Sequence, residues 1–351
     1  MYTQLLPQGT PKVLAVKLSV IGERSVRTSH PWIFTDSIEK INKEGVSGDI
    51  AIIFSHSKNK AIGVGLYDPD SPIRIKMVHF EGGATLNEDF FLQKIKKAYK
   101  VRVPLLRTKT NSYRLLFGEN DGFPGCIADV YAKVLVVKLY SKIWIPYLKN
   151  ILDSLIAVSG VETVVIRLSR KLQQDPSVSL TDGSVIYGTL EDETIVFKEH
   201  GICFSANVIK GHKTGYFLDH RENRRRVGAL SAQKTVLDVF SYAGGFSVHA
   251  LANGAKQVTS LDISSQALAL AKANGLLNKH KGSHKTISGD AFTEMQLLID
   301  KGICFDIVVI DPPSFAKSKK EMAIAKKKIQ TISSPRREAN CKKRNSCFSF
   351  L

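Results

Sequence analysis

Thr235-Val-Leu-Asp-Val-Phe-Ser-Tyr-Ala-Gly-Gly-Phe-Ser247 decides the fold: an apolar strand runs into a glycine turn and then into a helix start. Three later segments repeat the theme. Val258-Thr-Ser-Leu-Asp262, Gly289-Asp-Ala-Phe292 and Phe305-Asp-Ile-Val-Val-Ile-Asp-Pro-Pro313 each bring an apolar run to an acidic or small residue. Strands alternating with helices make a parallel sheet, and nucleotide-like ligands settle outside its carboxyl ends. An open α/β domain with a crevice built from four strand ends is the expectation.

Each strand end suits a distinct contact. Gly244 and Gly245 let the backbone approach a ligand, and the helix behind them offers unpaired N–H groups. The spacing is not G-x-G-x-x-G, which disfavours a dinucleotide pyrophosphate. An ordinary βα turn is the plain alternative. Asp262 lies 24 residues after Asp238 and suits two ribose hydroxyls, or else the N-cap of a helix over 264–278. Asp290 can accept from an adenine amino group, with Ala291 and Phe292 beside it. After Asp311, Pro312 and Pro313 fix a stiff turn whose two prolines lack N–H donors and whose carbonyls suit a flat base. Upstream, Tyr216, Phe217, Asp219 and Arg221 are placed to close over a ligand. The alternative there is a charged helix start with Arg224, Arg225 and Arg226 on the surface.

The remaining chain divides by pattern. Residues 1–82 are β-rich, with Val13-Leu-Ala-Val-Lys-Leu18 and Ile73-Arg-Ile-Lys-Met-Val78 among the strands. Residues 83–195 read as an α+β domain, opening on a helix over 87–103 with Asn87 as its N-cap. Residues 196–328 hold the α/β pattern. Residues 329–351 show neither period and read as a basic tail. Fifty Lys and Arg against 32 Asp and Glu give a net charge of +18, which favours a polyanionic partner. No apolar run reaches 18 residues and no signal core opens the chain. The five cysteines form no CxxC pair, which argues against structural zinc and for a cytoplasmic location.

Asp311-Pro-Pro after the other three motifs resembles the substrate turn of nucleic-acid methyltransferases that use S-adenosylmethionine. Ser29-His-Pro-Trp-Ile-Phe34, Tyr113-Arg-Leu-Leu-Phe-Gly-Glu-Asn-Asp-Gly-Phe-Pro-Gly125 and Lys213-Thr-Gly-Tyr-Phe-Leu-Asp-His-Arg-Glu-Asn223 sharpen this. Together they resemble the bacterial 23S rRNA 5-methylcytosine methyltransferase family over roughly residues 10–328. The resemblance implies an RNA-binding PUA domain, a central α+β domain and a Rossmann-like class I methyltransferase domain. It implies Phe240, Ser241, Gly244, Asp262 and Asp290 around S-adenosylmethionine, Asp311, Pro312 and Pro313 at the target base, and 23S-like ribosomal RNA as partner. His220 stands where the family has glutamine.

The family's chemistry is covalent. A cysteine thiolate adds to cytosine C6, and C5 then takes the methyl group and loses its proton. The resemblance places that cysteine on a further strand, after a further helix. Here residues 329–351 carry no such pattern, so the expectation is an incomplete domain with an unpaired sheet edge. Cys347, in Asn-Ser-Cys-Phe-Ser, lacks a strand to hold it. Lys326-Lys-Lys328 suggests a reading-frame shift in an adenine-rich run: one base later, allowed codons give an amphipathic helix and a strand ending in cysteine. Sequencing the gene tests this; codons incompatible with that frame would end it. Methylation of an exocyclic amine, needing Asp-Pro-Pro alone, and an RNA-binding remnant without catalysis are the competing readings.

Overall fold

Alternating apolar residues build the first sheet of the computed structural model, which describes residues 1–7, 9–312 and 346–349. Strands β1 (Val13–Leu18), β2 (Trp32–Phe34), β3 (Ile38–Ile41), β4 (Ile50–Phe54), β5 (Ala61–Tyr67) and β6 (Ile73–Phe80) pair in the order β2-β6-β5-β4-β1-β3. Helix α1 (Val20–Arg27) seats Val26 on a core of Leu14, Val16, Leu18, Ile33, Ile53 and Met77.

Helix α2 (Glu88–Leu106) starts as its sequence predicts, with the Asn87 side chain accepting from the Phe90 amide at 3.0 Å. It leads to a second sheet. Strands β7 (Ser112–Phe117), β8 (Cys126–Tyr131), β9 (Val134–Leu139), β10 (Thr163–Leu168) and β11 (Val185–Tyr187) run β11-β10-β9-β8-β7, with helices α3 (Leu148–Ser159) and α4 (Arg170–Gln173). The two sheets belong to one unit, Met1–Lys198 with Ser205–Leu218. Polar contacts join them: Lys76 and Ser141 both donate to Asp68, at 2.6 and 2.8 Å, and the Tyr147 hydroxyl donates to the Gly48 carbonyl at 2.9 Å.

A hairpin, β12 (Thr194–Glu199) and β13 (Ile202–Asn207), follows, and its tip Glu199–Phe204 belongs to the second unit, which resumes at Asp219. There α5 (Arg221–Leu230), β14 (Thr235–Val239), α6 (Gly245–Ala252), β15 (Gln257–Asp262), α7 (Ser265–Leu276), β16 (Ser283–Ser288), α8 (Ala291–Asp300), β17 (Ile307–Ile310) and β18 (Ser346–Ser349) succeed one another. The sheet is parallel, in the order β16-β15-β14-β17-β18. The chain steps outward from β14 to β16 and then returns to β17 on the other side of β14. That reversal opens a crevice at the carboxyl ends of β14 and β17.

One expectation is corrected. The sequence of the tail is patternless and predicts an unpaired edge on β17. Ser346–Ser349 forms a strand along that edge, in register from Ile307↔Ser346 to Ile310↔Ser349. The physical reason is the row of open N–H and C=O groups that an edge strand presents. The rest of the proposed tail, and the frame-shift reading, fall on residues outside those described.

Candidate functional site

The turn after β14 is held under strain. Phe240 and Tyr242 adopt positive φ, 62° and 45°, a region that non-glycine residues occupy at a cost of about 1–3 kcal/mol each. Gly244 also sits at positive φ, 75°, and a β-carbon there would lie 2.7 Å from Cβ of Ala271 on α7. Glycine is therefore required both for the turn and for its contact with α7. Backbone bonds fix the shape: the Ser241 amide donates to Leu261 O at 3.1 Å, and the Gly244 amide to Ser241 O at 2.8 Å.

Two carboxylates clamp this turn. Asp238 Oδ2 accepts from the Ser247 amide at 2.9 Å and from the Ser247 hydroxyl at 2.6 Å. Asp262 Oδ2 accepts from the Tyr242 amide at 2.8 Å, and its Oδ1 from the Ser264 amide at 2.9 Å. The N-cap of α7 is Ser264, not Asp262. Each Asp262 oxygen keeps a second lone pair, and Ile263 beside it is 77% exposed. Asp238 Oδ1 and the Ser241 hydroxyl are buried without a hydrogen-bond partner among the described residues. Buried polar atoms are normally satisfied, so these two have hydrogen-bonding capacity to spare.

Asp290 is exposed and caps α8, its Oδ1 accepting from the Thr293 amide and hydroxyl at 3.0 Å each. Ala291 is buried behind it, and Phe292 meets Phe240 edge-on at 6.3 Å. Asp311 continues β17, its amide donating to Val239 O at 3.4 Å. Burial raises the Asp311 carboxyl from its ordinary range, His220 and Arg224 oppose that, and Asp219 adds to it. Pro312 follows, while Pro313 lies outside the described residues.

Asp219 and Arg221 belong to the second unit, whereas Tyr216 and Phe217 belong to the first. Tyr216 is buried there: its amide donates to the Tyr131 hydroxyl at 3.1 Å and its ring meets Phe197 at 5.2 Å. Lys213 lies 4.3 Å from the Phe217 ring centroid. The strand-end site is accordingly built from Asp238, Phe240, Ser241, Gly244, Gly245, Asp262, Asp290 and Asp311 of the second unit.

Sequence reasoning missed the support beneath it. Arg224 is not on the surface; it is 4% exposed and donates two bonds to Glu199, at 2.8 and 2.7 Å. His249 joins the same carboxylate through Nε2 at 2.8 Å and stacks on Phe204. Burial alone would raise the Glu199 pKa, but Arg224 and His249 outweigh it and hold the group down to about 2. No group of three metal-ligating side chains occurs among the described residues, nor any helix long and apolar enough to cross a membrane.

Residues 126–333 match the S-adenosylmethionine-dependent methyltransferase family, and residues 16–80 a PUA-like domain. A ribosomal RNA large subunit methyltransferase of Deinococcus radiodurans is 39% identical over 90% of this chain and 79% of its own. Ribosomal RNA large subunit methyltransferase I of Vibrio vulnificus is 34% identical over 86% of this chain and 76% of its own. Among solved structures, one described as a SAM-dependent methyltransferase from Streptococcus mutans superposes with a TM-score of 0.74 at 22% identity, covering 90% of this chain and 82% of that one.

Proposed function

Because the chain belongs to the ribosomal RNA large subunit methyltransferases, a family of S-adenosylmethionine-dependent enzymes, we propose that it methylates large-subunit ribosomal RNA from the crevice of the second unit. The observation that carries the placement is the strained turn Phe240–Gly244, with the orphaned Asp238 Oδ1 and Ser241 hydroxyl at its base. These residues fit the cofactor. Bound there, S-adenosylmethionine supplies a methyl group activated on a sulfonium sulfur. Asp262 offers its free lone pairs to ribose hydroxyls, and Ile263 its exposed apolar face to adenine. Asp290 accepts from the adenine amino group, and Ser241 bonds the amino-acid end. Arg221 and Asp219 flank the entrance, and Asp311, Pro312 and Pro313 receive the target base.

Ribosomal RNA as substrate draws support from the net charge of +18 and the PUA-like domain. That domain carries a cleft of about 630 Å³ lined by Arg27, Lys58, Lys60 and Phe80. Cations with one aromatic face suit a phosphate backbone and a stacked base. The large-subunit 23S-like RNA is the target proposed, in the cytoplasm.

The finer proposal is cytosine C5. A thiolate would bond to C6, C5 would take the methyl carbon as its bond to the donor's sulfonium sulfur breaks and leaves a neutral thioether, and a base would take the C5 proton as the C6–S bond breaks. Among the described residues, the thiolate is proposed to be missing. Cys347 pairs opposite Val308, three residues short of Asp311, about 10 Å from the crevice at the rise of a strand. Cys304 precedes the amino end of β17, and Cys203 is bonded through its backbone to Asn278 beyond the far end of α7. Cys126 is buried in the first unit, its thiol pushed up to about 12. The same observation favours a second reading, methylation of an exocyclic amine, which needs the Asp311 turn without a thiol. Tritiated S-adenosylmethionine and large-subunit RNA from an undermethylated strain separate the two once the labelled nucleoside is identified. 5-Methylcytosine supports the first reading and an N-methylated base the second. Cofactor binding without transfer leaves an RNA-binding remnant.

A further inference from the structure

Three hydrogen bonds join Asp238 on the central strand β14 to the edge strand β16. The Ser247 hydroxyl donates to Asp238 Oδ2 at 2.6 Å, Ser247 and Ser260 share a bond at 2.6 Å, and Ser260 meets His284 Nε2 at 2.8 Å. Asp238, Ser247 and Ser260 are fully buried, whereas His284 is half-buried on the edge strand β16. His284 lines a cleft of about 470 Å³, together with Lys272, Lys285 and Thr286. The chain therefore runs from under the glycine turn to solvent.

Its polarity follows from counting protons. A serine hydroxyl has one proton to give. When Asp238 is ionised, Ser247 gives its proton to the carboxylate. Ser260 must then donate to Ser247, and His284 must donate from Nε2 to Ser260. When Asp238 is protonated on Oδ2, every bond can reverse, and His284 accepts at Nε2 while carrying its proton on Nδ1. The state of the buried carboxyl is thus written into the tautomer of a histidine at the surface. Gly275 on α7 faces Nδ1; a β-carbon there would lie 3.2 Å from it.

We propose that Asp238, Ser247, Ser260 and His284 form a proton-transfer chain, by which the carboxyl beneath the turn releases its proton to solvent at the His284 cleft when a cationic ligand enters the crevice. The step balances without an oxidant. The O–H bond of Asp238 breaks, each hydroxyl passes one proton on, an N–H bond forms at Nε2, and Nδ1–H loses its proton to water or buffer base. The groups facing the chain agree with this role. Burial, joined by Asp311 just after β17 and Asp262 on β15, outweighs the Ser247 bonds and raises Asp238 to about 7. Burial, His280 and Lys272 lower His284 to about 4, so it stays neutral and relays rather than stores the proton. Asp238 then ionises against a sulfonium cation and regains its proton against a neutral thioether, which favours donor over product.

The inference rests on the cofactor reading above, and two arms keep them apart. In the ligand-free full chain, ¹⁵N-histidine NMR follows the His284 tautomer from pH 5.5 to 8.5, with H284Q used for assignment. The expected result is a shift from Nδ1–H to Nε2–H with a midpoint near 7, lost in D238N and in S260A. A tautomer that stays constant, or changes equally in both variants, overturns the chain. S260A keeps this arm decisive should D238N not fold. In the second arm, S-adenosylmethionine is titrated by calorimetry at pH 7 in buffers of different ionisation enthalpy. Release of about half a proton per site is expected, given a group near its midpoint, and none in D238N. Binding without release overturns the coupling alone. No binding at all overturns the cofactor reading, and the tautomer arm then decides the chain by itself.

Discussion

Replacing Asp238 by asparagine isolates the cost of holding a carboxylate under the turn. Asparagine keeps an oxygen for the Ser247 amide and hydroxyl, so the clamp survives while the charge goes. In the wild type, burial carries the Asp238 pKa from 3.8 to about 7. An acid whose pKa is raised by folding binds its proton in the native state where the unfolded chain has released it. Its contribution is most favourable below pH 3.8 and declines as the pH rises through 7. About three pKa units at 1.36 kcal/mol each amount to about 4 kcal/mol over the whole range, of which about 3 kcal/mol falls between pH 5 and 8.5. Urea unfolding of both proteins at those two pH values reads the difference directly. The wild type should lose about 3 kcal/mol more than Asp238→Asn across the interval. Parallel pH dependences in the two proteins would refute the reasoning, because the carboxyl would then be ionised in both native and unfolded states.

Other perturbations test neighbouring parts of the account. Glu199→Gln strands the buried Arg224 guanidinium and should cost about 3–5 kcal/mol in urea unfolding at neutral pH. In the wild type the Glu199 contribution should hold above pH 4.5 and fade as the pH drops toward 2, since its pKa is depressed by folding. Gly244→Ala forces a β-carbon onto Ala271 at positive φ, and should destabilise by about 1–3 kcal/mol and weaken S-adenosylmethionine binding in calorimetry. Asp262→Ala frees the Tyr242 and Ser264 amides. It should cost only about 1–2 kcal/mol in stability, because the carboxylate is half-buried, yet raise the Kd for S-adenosylmethionine more than tenfold.

Features with a local signature were legible in the sequence. The apolar runs of β14, β15 and β17, the glycine turn at Gly244 and the cap at Asn87 all follow from residues within a few positions of one another. Contacts between distant residues were not. Glu199, Arg224 and His249 lie 25 and 50 residues apart along the chain and meet only after the hairpin tip joins the second unit. Arg224 therefore read as one member of a surface triplet. Ser247 comes from helix α6, Ser260 from β15 and His284 from β16, and nothing local ties them together. The strand β8 went unread, since Cys126-Ile-Ala-Asp-Val-Tyr131 follows a turn-rich segment and hides a charge, Asp129, that Arg114 neutralises in the fold. The strand Ser346–Ser349 went unread because pairing with β17, not its own pattern, defines it.

Hydrogen exchange followed by mass spectrometry tests the placement of the cofactor most directly. The chain is compared with and without S-adenosylhomocysteine. Added ligand should slow exchange at 239–247, where the strained turn lies, and at 261–264 around Asp262, with little change in the sheets of the first unit. Protection confined to other segments, or no protection at ligand concentrations that saturate relatives of the family, would contradict the account.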